Sequence, residues 1–226
     1  MVTQQRWNNG PHKALIARLT ASLLFVFVTL AVPSQASARD RAIRVPVTVH
    51  VATHHGRSVV SERRILASIR RANRELAAFD IYLDVEQIQP MVGGTRIETP
   101  DHRFELARRA PRDGTVHVFF VDRVRLTSAR KGDRRVSGMH WRYHGLIKDI
   151  RAREYVAVAH NAPTTTLVHE FGHAFGLAHD TRDDNLMCSC RRGIDPAFTE
   201  RQGRRLRAGA RRYQKRSQKR SRKRGL

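Results

Sequence analysis

Residues 169–180 read His-Glu-Phe-Gly-His-Ala-Phe-Gly-Leu-Ala-His-Asp, and this stretch constrains the chain more than any other. Side chains four apart share one face of a helix, so His169 and His173 present two imidazoles to a common point. Gly176 sits where that helix has to stop, because glycine accepts the left-handed backbone that turns a chain out of a helix. The turn brings His179 back toward the first two histidines. Three histidines with one open position form a catalytic type of zinc site. His-Glu-x-x-His alone is a weak signal in a chain with twelve histidines; the glycine and the third histidine at fixed spacing make it specific.

The pattern His-Glu-x-x-His-x-x-Gly-x-x-His resembles that of the metzincin zinc metallopeptidases. Asn185-Leu186-Met187, whose methionine stands eight residues after His179, resembles their Met-turn. Gly172 and Leu177 within the motif are similar to the matrixin variant, whereas Asp180 is more like the adamalysins, so the resemblance is to the clan and not to one family in it. It covers residues 164–187 closely and the order of elements from about 43 to 210 loosely. It implies an α+β fold: a twisted mixed β-sheet with two long helices, an active-site helix ending at a glycine, and a small C-terminal subdomain holding the Met-turn and one helix. It also implies that His169, His173 and His179 hold one zinc ion, that Met187 underlies the metal as a hydrophobic floor, and that the substrate is a protein or peptide.

The chemistry of the residues agrees with that implication. Glu170, beside the first ligand, is the natural general base, taking a proton from water and returning it to a leaving amine. Glu200 is the one downstream glutamate that could replace His179 as third ligand; because His179 already fits, Glu200 reads as part of a helix cap. Asp180 is expected either to orient the site by a hydrogen bond near the helix end or to be a solvated loop acid. Leu167, Phe171, Ala174, Phe175 and Ala178 lie on the opposite stripe and are expected in the core. His140, His144 and His160 read as surface or strand histidines before cleft residues.

The rest of the chain supplies an order of elements. Ile43, Val45, Val47, Val49 and Val51 alternate as a strand does. Ser61 is a fitting N-cap for a helix whose apolar stripe, Ile65, Ile69, Ala72, Leu76 and Phe79, packs on a sheet. Ile81, Leu83 and Val85 alternate again, so strand, helix and strand make a parallel crossover. Residues 89–114 carry Pro90, Gly93-Gly94, Pro100, Pro111 and Gly114 and read as loop, with a short helical turn near 103–109. Residues 116–121 suit a buried strand, 136–143 an extended edge strand and 155–159 another strand before the motif helix. Thr199-Glu200-Arg201-Gln202 is a capping box opening a last helix, with Leu206, Ala210 and Tyr213 on one side.

Charge and cysteine content divide the chain further. Arg6, Lys13 and Arg18 without an acid, an apolar run over 19–32 and Ala36-Ser37-Ala38 follow the order of a signal peptide, expected to be cleaved after Ala38. An uncleaved anchor over 14–32 is the alternative reading. Residues 39–213 are expected to form the catalytic domain. Residues 201–226 hold thirteen Lys+Arg and no acid, and the part over 214–226 reads as a basic, disordered tail. Such a tail gives salt-sensitive contact with polyanions, and its lack of aromatics after Tyr213 argues against base stacking. Cys188 and Cys190, the only cysteines, are so close that a mutual disulfide is not expected; buried thiols are favoured over metal binding or pairing between chains.

The resulting expectation is a secreted zinc-dependent endopeptidase, extracellular or, in a Gram-negative source, periplasmic, with no stable membrane association after signal cleavage. The other reading is an exported polyanion-binding protein whose zinc site is structural or vestigial.

Overall fold

The computed structural model describes residues 42–128, 132–190 and 193–225. The expected signal peptide over 1–38 lies outside the described residues. The first strand, β1 (Ile43–His54), buries the alternating Ile43, Val45, Val47, Val49 and Val51 on one face and Thr48, His50 and Ala52 on the other. Both faces are covered, which makes β1 a central strand. A short hairpin to β2 (Arg57–Ser58) leads into helix α1 (Glu62–Ala77), whose buried Ile65, Ala72 and Leu76 follow helical spacing. Strand β3 (Ile81–Val92) returns parallel to β1 and completes the crossover.

β3 runs on to Val92, and the region expected as loop holds more order than its prolines suggest. After β4 (Arg96–Ile97) comes α2 (Pro100–Arg109), started by Pro100 in its first turn and by the Thr99 hydroxyl, which accepts the His102 N–H at 3.3 Å. α2 buries Leu106 and Ala107, and its Arg103 carbonyl accepts the Tyr155 hydroxyl at 3.3 Å. Then follow β5 (Val116–Val121), β6 (Arg123–Ser128), β7 (Gly132–Val136), β8 (Gly138–Arg142), a 3₁₀ turn (Lys148–Ile150) and β9 (Glu154–Ala159). Strands β3, β1, β5 and β9 are mutually parallel, and β8 closes that sheet antiparallel to β9. A second small sheet has the order β4, β6, β7. This is the α+β architecture with a mixed sheet, and β8 is the expected edge strand.

Helix α3 (Thr166–Ala174) carries the motif histidines and packs against α1, β8 and β9. Helix α4 (Glu200–Arg224) closes the chain, opened by the expected capping box: the Thr199 hydroxyl accepts from Gln202 N–H at 3.2 Å, and the Gln202 side chain accepts from Thr199 N–H at 2.9 Å. Here the structure corrects the expectation of disorder, because α4 runs through the basic segment to Arg224. Arg, Lys and Gln are good helix formers, and no proline or glycine interrupts residues 210–224. The helix also has something to lie on. It crosses the N-terminal ends of the parallel strands, where Arg207 donates to the Phe79 carbonyl at 2.7 Å and Ser217 passes over Gly114. No helix among the described residues is long and apolar enough to cross a membrane.

The tightest polar contact of α4 is at Glu154, the first residue of β9. Its half-buried carboxylate accepts from the Tyr213 hydroxyl, from His140 Nε2 at 3.0 Å and from Arg216 at 3.5 Å. Burial alone would raise the Glu154 pKa, but the hydrogen bonds from His140 and Tyr213 outweigh it and hold the group down to about 2. A carboxyl with a depressed folded pKa stabilises the fold above its unfolded pKa, and that contribution is lost as pH falls through the folded value. The window here runs from about 4.5 down to about 2. Tyr213→Phe is expected to raise the Glu154 pKa and cost about 1–3 kcal/mol near neutral pH. Followed from pH 7 downward, melting temperature should fall less between about 4.5 and 2 in the variant than in the parent, because the gap between its folded and unfolded Glu154 pKa is smaller.

Candidate metal centre

The three motif histidines converge. The ligand-capable nitrogens of His169, His173 and His179 lie within 4.8 Å of one another, the only such group of three among the described residues. His173 Nε2 and His179 Nε2 are 3.1 Å apart. Two nitrogens on one tetrahedral zinc ion, each at ~2.0–2.1 Å, lie about 3.3–3.4 Å from each other, so the spacing suits a shared ion. The donor chemistry fits as well. His169 Nδ1 donates to the Leu186 carbonyl at 2.7 Å and His173 Nδ1 to the Leu177 carbonyl at 2.9 Å. A carbonyl only accepts, so each Nδ1 carries the proton and each Nε2 turns a lone pair toward the cluster, the arrangement a metal requires.

Local sequence explains this placement. α3 is only nine residues long and ends in a paired hydrogen-bond turn: Gly176 N–H donates to the His173 carbonyl and Leu177 N–H to the Gly172 carbonyl, both at 2.9 Å. Gly176 has φ +99, in the region that favours glycine, and the chain leaves the helix there so that His179 faces back toward His169 and His173. The rings of His169 and His179 stack with centroids 5.4 Å apart. His169 is buried, His173 half-buried and His179 exposed, so the cluster opens to solvent on the His179 side.

Met187 is fully buried beneath α3. Its sulfur lies 2.4 Å from where a Cβ on Gly172 would stand, so only glycine at that helix position admits it. Asn185 Oδ1 accepts the Met187 N–H at 2.8 Å and also bonds the Gln202 amide at 3.1 Å. The capping glutamine of α4 therefore grips the turn below the histidines. Reading the capping box as a helix start missed this second task; the polar Gln202 at the third helical position is its one sequence trace. Glu170 is buried, and the backbone of Gly138, at the start of β8, passes so close that a Cβ there would stand 3.0 Å from Glu170 Cγ.

Other expectations fall out differently. Asp180 accepts from Arg182 N–H at 3.0 Å and Arg182 Nε at 3.2 Å, and its own N–H donates to the Met187 carbonyl at 2.9 Å. Hydrogen bonds from Arg182 hold its carboxyl below the usual carboxylate range. Asp180 thus ties the returning loop to the Met187 turn. Leu167, Phe171, Ala174 and Phe175 are core residues, but Ala178 is exposed because it follows the break at Gly176. Cys188 and Cys190 form a disulfide with Cα atoms 5.2 Å apart, against the expectation of buried thiols. The chain bends sharply enough after Met187 to bring the two Cβ atoms together, which an extended Cys-x-Cys segment does not do. Glu200 starts α4 and is not in the cluster, His140 bonds Glu154, and His160 Nδ1 bonds the Asp122 carbonyl at 2.6 Å.

No family model and no curated protein matches the sequence. Among solved structures the chain is similar to metalloproteinase-II from Bacteroides fragilis, at 13% identity and a TM-score of 0.49 over 74% of this chain. The chain spans about half, 52%, of that protein's length. It is also similar to an archaemetzincin from Methanopyrus kandleri, at 15% identity and a TM-score of 0.45, covering 76% of this chain and 98% of that one. Promirolysin from Tannerella forsythia matches at 11% identity and a TM-score of 0.46, covering 76% of this chain and 84% of that one. At these levels the likenesses are of shape, and the functional reading rests on the geometry of the cluster.

Gly172→Ala tests the floor of the cluster. Alanine is the better helix former, which favours the variant by about 1 kcal/mol, but displacing a buried methionine costs about 1–3 kcal/mol. Chemical denaturation is expected to show net destabilisation, and competition with a chromogenic chelator is expected to show weaker zinc binding.

Proposed function

We propose that this chain is a zinc-dependent endopeptidase that acts on protein or peptide substrates. The observation that carries this reading is the convergence of three histidine nitrogens, two of them with their Nδ1 protons tied to carbonyls, beside the buried Glu170. His169, His173 and His179 would hold one zinc ion. Bound there, zinc supplies Lewis acidity, giving access to a hydroxide-like nucleophile near neutral pH and polarising the scissile carbonyl. Glu170 accepts the proton of the attacking water and passes it to the nitrogen of the departing amine as the peptide bond breaks. The carbonyls of Leu186 and Leu177 keep the two helix imidazoles turned and more basic. Met187 fills the space below them and keeps water out. β8, the outer strand of the sheet, begins against Glu170 and offers backbone groups to an extended peptide, which suits cleavage within a chain.

The charge and apolar order of residues 1–38 support export, with the mature protein released to the extracellular or periplasmic space. The basic stretch 214–226 adds salt-sensitive attraction to polyanions. An exported polyanion binder with a structural zinc site is the competing function, and Glu170→Gln separates the two. The variant is expected to keep one zinc per chain and its melting temperature, while peptide hydrolysis falls by about 10²–10⁴-fold. If the parent protein with zinc bound cleaves no member of a diverse peptide library, and a chelator changes only its melting, the structural reading replaces the enzymatic one.

A further inference from the structure

One well-formed cleft lies away from the histidine cluster. It lies between the second half of α4 and the N-terminal ends of β5 and β9, with a volume of about 700 Å³. Six cationic side chains line it: Arg112, Arg142, Arg216, Lys219, Arg220 and Lys223. The four from α4 stand at spacings of three, four and seven residues, one face of a helix. Arg112 and Arg142 face them from the loop before β5 and the end of β8. Among the described residues, Arg112, Lys219, Arg220 and Lys223 make no ion pair, so their charge is not spent within the fold.

Several acceptors of this cleft are already engaged. Glu154, the only acid lining it, takes hydrogen bonds from Tyr213, His140 and Arg216. The Ala110 carbonyl accepts from Arg153 at 2.8 Å, and the Pro111 carbonyl from His117 Nε2 at 3.0 Å. The Thr115 hydroxyl donates to Asp113 at 3.0 Å and accepts from the Thr48 hydroxyl at 3.0 Å. What is left to a ligand is a wall of donors, since lysine and arginine have no acceptor. Sulfate groups, which accept and do not donate, suit that wall. The one aromatic lining residue, Tyr213, is buried and held by Glu154, so no platform exists on which bases could stack. The cleft is concave, which suits a single narrow chain better than a flat bilayer. A second groove, lined by Lys215, Gln218, Lys219, Arg222 and Lys223, shares Lys219 and Lys223 with it and extends the charge along α4.

We propose that this cleft binds a sulfated polysaccharide chain, with sulfate groups between the cationic face of α4 and Arg112 and Arg142. The site is separate from the histidine cluster and holds whether or not the chain is a peptidase. It differs from diffuse attraction to a basic tail in needing residues from the loop before β5 and from β8. The loop wall is itself fixed in place: Asp113 and the Pro111 carbonyl both bond His117, which in turn accepts from His50 at 2.8 Å.

The test compares two triple variants of the full chain with equal loss of charge. Arg112→Ala/Arg220→Ala/Lys223→Ala empties the cleft; Arg204→Ala/Arg205→Ala/Arg211→Ala removes exposed arginines elsewhere on α4. Titration with a heparin octasaccharide at fixed salt is expected to show at least about tenfold weaker binding for the first and less than about twofold for the second. Matching circular dichroism and melting curves establish that both fold. Equal losses in the two variants would overturn the site in favour of diffuse electrostatics. Tighter binding by the parent of charge-matched single-stranded DNA or polyglutamate than of the octasaccharide would overturn the ligand class. Hydrolysis of a short neutral peptide is expected to be unchanged in both variants, so a failure of the peptidase reading shows separately from a failure of this one.

Discussion

The hydrogen bond from His169 Nδ1 to the Leu186 carbonyl joins the two halves of the centre, and most of the architecture around it serves to keep that bond in place. One partner is on a helix, the other on a turn seventeen residues later. For them to meet, α3 must end at Gly176, the chain must come back past His179, and the turn at Met187 must slide beneath the helix at a position with no side chain. Each of these conditions is met by a small local device: the paired turn at the helix end, the Asp180 contacts with Arg182 and the Met187 carbonyl, and the close approach at Gly172. The Gln202 amide then locks the turn from below through Asn185. A centre built this way can orient neutral imidazoles before any ion arrives, which is the condition for an open coordination site that does not collapse.

The same helix that caps the turn also organises the far end of the molecule. α4 begins at the Met187 turn and ends against the loop before β5, so it spans from the histidine cluster to the cationic cleft. Glu154 stands between the two, joining β9 and β8 to α4 through Tyr213, Arg216 and His140. Its carboxylate is the only acid lining the cleft, and the nearby Arg142 lowers the cost of keeping it ionised. A second set of buried histidines lies on the other side of the sheet. His50 is pushed down to about 4, by burial first and then by the neighbouring His117, so it is neutral near physiological pH and works as a hydrogen-bonding link between strands.

Much of the order of elements could be read from periodicity. The alternation in β1, the stripe of α1 and the compact run of β5 each depend on which residues are apolar, and a chain writes that directly. The basic segment is the clearest failure. Its composition resembles that of disordered tails, yet helix propensity together with a surface to lie on carries α4 to Arg224. Residues 89–114 failed for a related reason: prolines and glycines marked turns correctly, but Pro100 in the first turn of a helix reads the same as Pro in a loop until Thr99 is seen capping it. The Cys188–Cys190 bond was missed because spacing along a chain says nothing about how sharply the chain bends.

By itself the sequence determined which residues gather at the centre: three histidines at helical and post-glycine spacing, with a glutamate between the first two and a methionine downstream. Those are local facts, because neighbouring residues on one helix have a fixed geometry. What only the tertiary structure decided is which distant groups hold the donors in place. The Leu186 carbonyl on His169, Gln202 under Asn185 and Gly138 beside Glu170 pair residues that lie well apart in the chain. No local propensity encodes such pairs; they arise because the sheet, the short motif helix and α4 bury their apolar faces against each other and bring these polar groups within reach.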